Sequence, residues 1–233
     1  MRGFWSKSLM LAAFLFAAQL SHAELPLVFK QNQQHQSYNA LAYKVLQQVY
    51  QQAGYEIHAS KKQSIRHDGY LISPRDRNKE YYGYIRIPVT IVKVRLLAFT
   101  QQRHKNTPYQ YGLMSNRVAV VKGSTLAERY TAGVVTYAMD NAEGAFFQLR
   151  KNNVDIVLMP EFEALVQAGS QLRKGIVALS PAVTEIAMYH YVHKKHSHLI
   201  PVIKRSLQKM EREQSIMALQ QTTQKNLGFV PSV

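Results

Sequence analysis

Residues 122–125, Lys-Gly-Ser-Thr, follow an apolar run at 117–121 and precede a stretch of helical character. Gly123 permits a tight backbone approach. Ser124 and Thr125 offer hydroxyls, and free N–H groups at a helix start favour a carboxylate or phosphate. An ordinary loop and N-cap explains the same four residues. The lysine precedes the glycine and the spaced glycines are missing, so this is not a Walker loop. A second group lies at 67–77 (HDGYLISPRDR), where a turn and a short strand lead to the guanidiniums of Arg75 and Arg77. An arginine at a cleft edge holds a carboxylate through paired, charge-assisted hydrogen bonds; a solvated charge run is the plainer alternative. Phe29 and Tyr38 adjoin apolar segments and read either as core or as aromatic walls of a ligand site.

The histidines raise metal chemistry, because His190, His193, His196 and His198 crowd into YHYVHKKHSH. Imidazoles three apart can share a helical face and bind zinc or nickel. Here Lys194 and Lys195 add positive charge and no cysteine or carboxylate completes a set, so a basic, partly solvated junction is expected and no metal. Glu161 and Glu163, read as following a strand on an extended chain, would share a face, but nothing marks a sugar-like cleft around them. Ser124 has no nucleophile elbow. No catalytic set emerges, and no cofactor is implied.

The elements that must position these groups start after a leader. Arg2 and Lys7, the apolar run 9–18 and the small residues Ser21 and Ala23 fit a signal peptide over residues 1–23. The apolar run is shorter than the roughly 20 residues a membrane span needs. Cleavage would lower the formal charge from +15 to +13 and remove Trp5, the only tryptophan. With no cysteine, disulfides, thiol catalysis and a lipid anchor on cysteine are excluded. No zinc knuckle, glycine-arginine tract or aromatic-basic alternation supports nucleic acid as a partner. An exported basic protein instead meets anionic envelope surfaces or anionic solutes.

Apolar periodicity predicts a strand at 25–30, a helix at 37–53 stopped by Gly54, strands at 55–59 and 70–72, and extended structure at 85–99, where Pro88 argues against a helix. The linker between the strands at 55–59 and 70–72 is short for a parallel crossover, which usually takes a dozen or so residues. Residues 100–108 turn polar and are the expected link between lobes. Strand, helix, strand, helix, strand follow at 117–121, just after 125, 134–137, 143–151 and 154–159, an order that indicates a layered α/β unit. One or two strands fit 178–191. Leu199, Ile203, Leu207 and Met210 mark a late helix.

In that order, HDGYLISPRDRNKEYY, IRIPV, RVAVVKGST, NNVDIVLM and YHYVHKKHSHLIPVIKRSLQKM resemble the type 2 periplasmic solute-binding family, in the branch of polar amino-acid receptors of ABC transporters. The resemblance spans nearly all of the chain after residue 23. It implies an α/β, two-lobed periplasmic-binding-protein-like fold, type 2, with a mixed sheet in each lobe and a ligand cleft between them. Residues 24–103 would form the first lobe's N-terminal part, 104–190 an inserted second lobe with crossover, and 191–233 the return to the first lobe. It also implies noncatalytic capture of a small polar or anionic solute in the periplasm, an ABC permease or a sensor as partner, and a monomer. By the same resemblance Arg77, with Arg75 as competitor, grips the ligand carboxylate. Ile72 and Ser73 line that wall, Ser124 or Thr125 faces it, and Phe29 and Tyr38 are aromatic walls. The chain departs from the family at the carboxylate that receives a ligand ammonium: Pro160 occupies the aligned position, with Glu161 the adjacent substitute. A lyase with Glu161 as its acid or base, and an envelope accessory protein that has lost its ligand, are the alternative readings.

Overall fold

The computed structural model describes residues 25–62, 66–74, 82–105, 113–172 and 175–226. Four short strands, β1 (Leu27–Lys30), β2 (Ile57–Ser60), β3 (Gly69–Pro74) and β5 (Val118–Val121), and the long β4 (Tyr84–Gln101) set the frame. They are joined by β6 (Thr136–Met139), β7 (Ile156–Pro160), β8 (Ile176–Ala178) and β9 (Thr184–His193) in one mixed sheet of order β2-β1-β3-β9-β4-β7-β5-β6, with β8 beside β4. Parallel pairing at both ends (β1 with β2 and β3, β5 with β6 and β7) meets antiparallel pairing in the middle, where β9 and β7 flank β4.

Side-chain pattern explains why β4 is long. From Ile87 to Val94 buried residues largely alternate with exposed or half-buried ones, as on a sheet with one covered face; from Leu96 to Thr100 every residue is buried, as where both faces are covered. Pro88 has no N–H to give a neighbour, and the pairing of β4 with β9 shifts register between Arg86 and Thr90 at that point. Thr100 and Gln101, expected in the polar link, are instead the last residues of β4 and pair with Val177 and Ile176.

Six α-helices lie among the described residues: α1 (Gln36–Gln52), α2 (Thr125–Tyr130), α3 (Ala142–Arg150), α4 (Glu161–Leu172), α5 (Ile200–Arg212) and α6 (Ser215–Asn226). On α1 the residues Leu41, Ala42, Val45, Leu46, Val49 and Tyr50 recur at helical spacing and are all buried. Each large apolar side chain removed from water there contributes about 2 kcal/mol. Gly54 at φ +84° then ends the helix, its N–H donating to the Gln51 carbonyl at 3.0 Å. On α5 the buried residues are Ile203, Leu207 and Met210.

Two sequence expectations change. Glu161 and Glu163 stand in the first turn of α4 rather than on extended chain, where their charge suits the positive end of the helix dipole. The short linker also has an explanation: β2 and β3 are not neighbours but flank β1, so the two strands it joins are separated by one short strand.

Candidate functional site

The loop between β1 and α1 is built by two asparagines. The Asn32 side-chain oxygen accepts from the N–H groups of Gln34 and His35 at 2.9 and 3.1 Å, an Asx turn. Asn39, one turn into α1, accepts from the Asn32 N–H at 2.9 Å and donates to its carbonyl at 2.7 Å. This holds residues 33–37 against the chain that follows β5 and β7, and two cavities open beside it. The first, about 450 Å³, lies between Gln33, Gln34, Gln36 and Ser37 on one side and Lys122, Gly123, Ser124, Glu163 and Gln167 on the other. The second, about 420 Å³, is bounded by Gln34, His35, Pro74, Thr125, Arg129, Glu185 and Tyr189.

A wall of side chains stands where His35 and Tyr38 meet α4. His35 Nδ1 lies 3.2 Å from Glu163 Oε1, with side chains only 8% and 13% exposed. The Tyr38 hydroxyl accepts the N–H of Phe162 at 3.1 Å, and the two rings pack at 5.4 Å. Burial pushes the Tyr38 phenol far above its usual range. Tyr38 is therefore a buried joint between α1 and α4 and lines neither cavity.

The other expected site residues separate. Ser124 borders the first cavity and Thr125 the second. Phe29 is fully buried, 5.2 Å from the Tyr50 ring and 4.8 Å from that of His190, so it is core. Ile72 and Ser73 are buried in β3 and line neither cavity, although Pro74, the next residue, lines the second. Arg75 and Arg77 lie outside the described residues. Glu161 is tied to Arg95 at 3.4 Å and also lines neither cavity. Burial raises its pKa, Arg95 opposes that rise and Glu185 adds to it.

The turn 122–125 also differs from expectation. Gly123 does need its freedom, at φ +78°. Its N–H donates to Glu128 Oε1 at 2.9 Å, while those of Ser124 and Thr125 donate to the carbonyls of Val121 and Gly123, each at 3.0 Å. A carboxylate of the protein thus occupies the donor an anion was expected to use, and Ser124 makes no side-chain cap. The N–H groups of Gly123, Ser124 and Thr125 are thus taken within the protein, while Ser124 and Thr125 border the cavities. Lys122 is paired with Asp140 at 2.6 Å.

Sequence reasoning missed Asn32, His35, Arg129, Glu185 and Tyr189. Asn32 carried a local signal, an asparagine four residues ahead of the first residue of a helix; the others become neighbours only through the fold. The four histidines do not form one set: His196 and His198 stay in contact, with ring centres 6.3 Å apart, while His190 is drawn into the core. His190 is buried, His193 ends β9, and His196 lies 2.8 Å from Asp68. Among the described residues no group of three or more His, Cys, Asp or Glu is placed to hold a metal.

No known protein-family profile matches the chain, and no curated protein sequence is similar to it. Solved structures do match. The GluR0 ligand-binding core in complex with L-glutamate superposes with a TM-score of 0.63 at 14% identity, covering 85% of this chain and 97% of that one. An amino-acid ABC transporter substrate-binding protein from Streptococcus pneumoniae, bound to L-arginine, gives 0.57 at 15% identity over 87% and 95% of the two chains. A histidine kinase sensor domain with similarity to periplasmic binding proteins gives 0.57 at 12% identity over 86% and 96%. The chain has an α/β fold that resembles that of these periplasmic-binding-protein-like structures.

Proposed function

We propose that this protein is a noncatalytic receptor of the periplasm that captures a small polar or anionic solute between two lobes and hands it to an ABC permease or reports it to a sensor. The carrying observation is the pair of adjoining cavities bounded by residues from both ends of the sheet: Gln33 to Ser37 and Pro74 on one side, Lys122 to Arg129 on the other. In this reading residues 24–103 and 191–233 form one lobe and 104–190 the other, residues 1–23 are the cleaved leader, and the receptor is a monomer. Solute binding favours the state in which the lobes meet. Ser124 and Thr125 supply hydroxyls, and Arg77, three residues past Pro74, supplies the guanidinium for a carboxylate-bearing solute.

A metabolite screen by thermal shift tests the reading. A ligand at a hundredfold excess over its Kd stabilises the folded state by about 2.7 kcal/mol, worth roughly 5–10 °C in a chain of this size. Calorimetry then fixes each affinity, and product analysis returns the ligand chemically unchanged. A carboxylate-bearing hit should lose at least tenfold in affinity in Arg77→Ala; unaltered affinity removes the arginine clamp. Conversion of the ligand would replace the receptor with an enzyme.

A second reading, an envelope accessory protein that needs no ligand, is favoured by one observation: the protein's own His35 and Glu163, each bordering one cavity, are already paired with each other, and Tyr38 is packed on Phe162 beside them. A screen that yields no stabilising solute supports it over the receptor.

A further inference from the structure

Two stretches of sequence are nearly free of acid. Residues 57–68 hold Lys61, Lys62 and Arg66 with Asp68 as their one carboxylate, and residues 186–210 hold Lys194, Lys195, Lys204, Arg205 and Lys209 with none. The sheet brings the ends of these stretches together. β3 and β9 pair antiparallel from Gly69 opposite Val192, and the His193 N–H donates to the Asp68 carbonyl at 2.7 Å. The turn after β9 is pinned alongside, its Lys194 N–H donating to the Gly83 carbonyl at 2.8 Å.

Asp68 does not neutralise the surface so formed, because its carboxylate is turned inward. Only 13% exposed, it accepts the Val28 N–H at 2.8 Å and holds Lys195 Nζ at 2.6 Å and His196 Nε2 at 2.8 Å. Among the described residues Asp68 is thus spent on Lys195 and His196, while Lys61, Lys62, Arg66 and Lys194 are all exposed. Arg66 stands close enough to His193 to act on its charge, together with Lys195 and His196. Beside them Tyr82 is 87% exposed, with Lys194 Nζ 5.2 Å from its ring centre. This face lies at the β3 start, whereas Pro74 at the other end of β3 borders the second cavity. At about 3.3 Å per residue the two ends stand one strand length apart, so a partner on this face leaves the cavities open.

We propose that the face formed by Lys61, Lys62, Arg66, Tyr82 and Lys194 docks the protein on a bilayer surface rich in anionic phospholipid headgroups. Flexible ammonium and guanidinium groups suit a fluid array of phosphates. An exposed tyrosine beside a lysine suits the headgroup layer, where an amphipathic ring places its edge in water and its body among acyl carbons.

The test is cosedimentation of the full chain with vesicles of phosphatidylglycerol and phosphatidylcholine, against phosphatidylcholine alone, at low and at physiological salt. Binding should require the anionic lipid and weaken with salt. The leader contributes equally to every variant, so the comparison is between variants. Arg66→Glu with Lys194→Glu should lower partitioning at least twentyfold, since each cation near such a surface is worth about fivefold. Lys105→Glu with Lys151→Glu, an equal change of net charge at exposed positions elsewhere, should lower it by less than fivefold. Lys195 is left intact because it holds Asp68, and unchanged thermal melting verifies that each variant folds. Tyr82→Ala should cost a further twofold to fivefold. Equal losses in both charge pairs would assign binding to net charge and overturn the proposal, as would partitioning independent of lipid charge. A soluble acidic protein that competes the chain off the vesicles at physiological salt would move the face to a protein partner and likewise overturn it.

Discussion

His190 is completely buried between Phe29 and Tyr50, and both ring nitrogens are committed. Nδ1 lies 2.7 Å from the Tyr70 carbonyl, which can only accept, so Nδ1 carries the proton; Nε2 then accepts the Tyr50 hydroxyl at 2.9 Å. Burial outweighs the carbonyl contacts and lowers the pKa from 6.5 to about 4. The folded state thus refuses a proton that the unfolded chain takes up. Stability contributed by the neutral ring is complete above pH 6.5 and is lost as pH falls toward 4, by on the order of 3 kcal/mol. Thermal melts across that window should show the fall. His190→Gln, which can still donate to a carbonyl and accept from Tyr50, should flatten it. Asp68 acts lower on the scale. Burial raises its pKa, but Lys195, the Val28 N–H and His196 together hold it below the usual value of 3.8, so its contribution is lost only as pH falls below that. None of this was legible in sequence, where His190 looked like one of four clustered imidazoles. The strand that carries it places alternate side chains on opposite faces, and only sheet order decides which face is core.

Among the elements, β3 and β9 approach more closely than a side chain at position 69 allows. A Cβ on Gly69 would lie 2.0 Å from the Tyr191 carbonyl oxygen and 2.9 Å from the Phe29 ring. Gly69→Ala should therefore destabilise by more than about 3 kcal/mol in urea titration, or leave no folded protein. Gly54→Ala, with open space around it and only the cost of its positive φ, should be much milder. At α4, Tyr38→Phe removes the acceptor for the Phe162 N–H and should cost about 1 kcal/mol, with hydrogen exchange quickening first at Phe162. The helices α1 and α5 could be read from their spacing because each buries one face. α4 could not, since Pro160 and two glutamates just beyond a buried strand read equally well as a continuation of extended chain. The turn at Gly123 was found, but its cap was not: the partner is Glu128, and nothing local ranks that carboxylate over the Ser124 hydroxyl.

At the scale of the whole molecule, the succession of strands and helices along the chain followed from the apolar runs, whereas their joining in one continuous mixed sheet, where a mixed sheet in each lobe was expected, and the walls of the cavities did not. Arg129 and Glu185 are 56 residues apart in the chain and meet at one cavity because β9 returns beside β4. The family resemblance favoured Phe29, Ile72 and Ser73, which lie on β1 and β3 and are buried there. The contact of His35 with Glu163 joins the β1–α1 loop to α4, so His35→Ala should loosen the gap between the cavities. For the receptor, such loosening should alter ligand affinity by at least severalfold while the melting temperature without ligand changes little; an effect confined to stability would make the contact merely structural.

The position of β9 governs the order in which this chain can mature. Its ten residues fill the slot between β3 and β4, yet they follow all of β5 through β8. A chain emerging from its N-terminus holds β1 to β4 with that slot vacant, exposing two unpaired edges until residue 193 arrives. Residues 113–172 need no such late partner and can condense first. Interruption of synthesis near residue 183 should thus yield a protease-resistant second portion attached to a sticky, unfinished first one, which makes the last quarter of the polypeptide the step at which aggregation is decided.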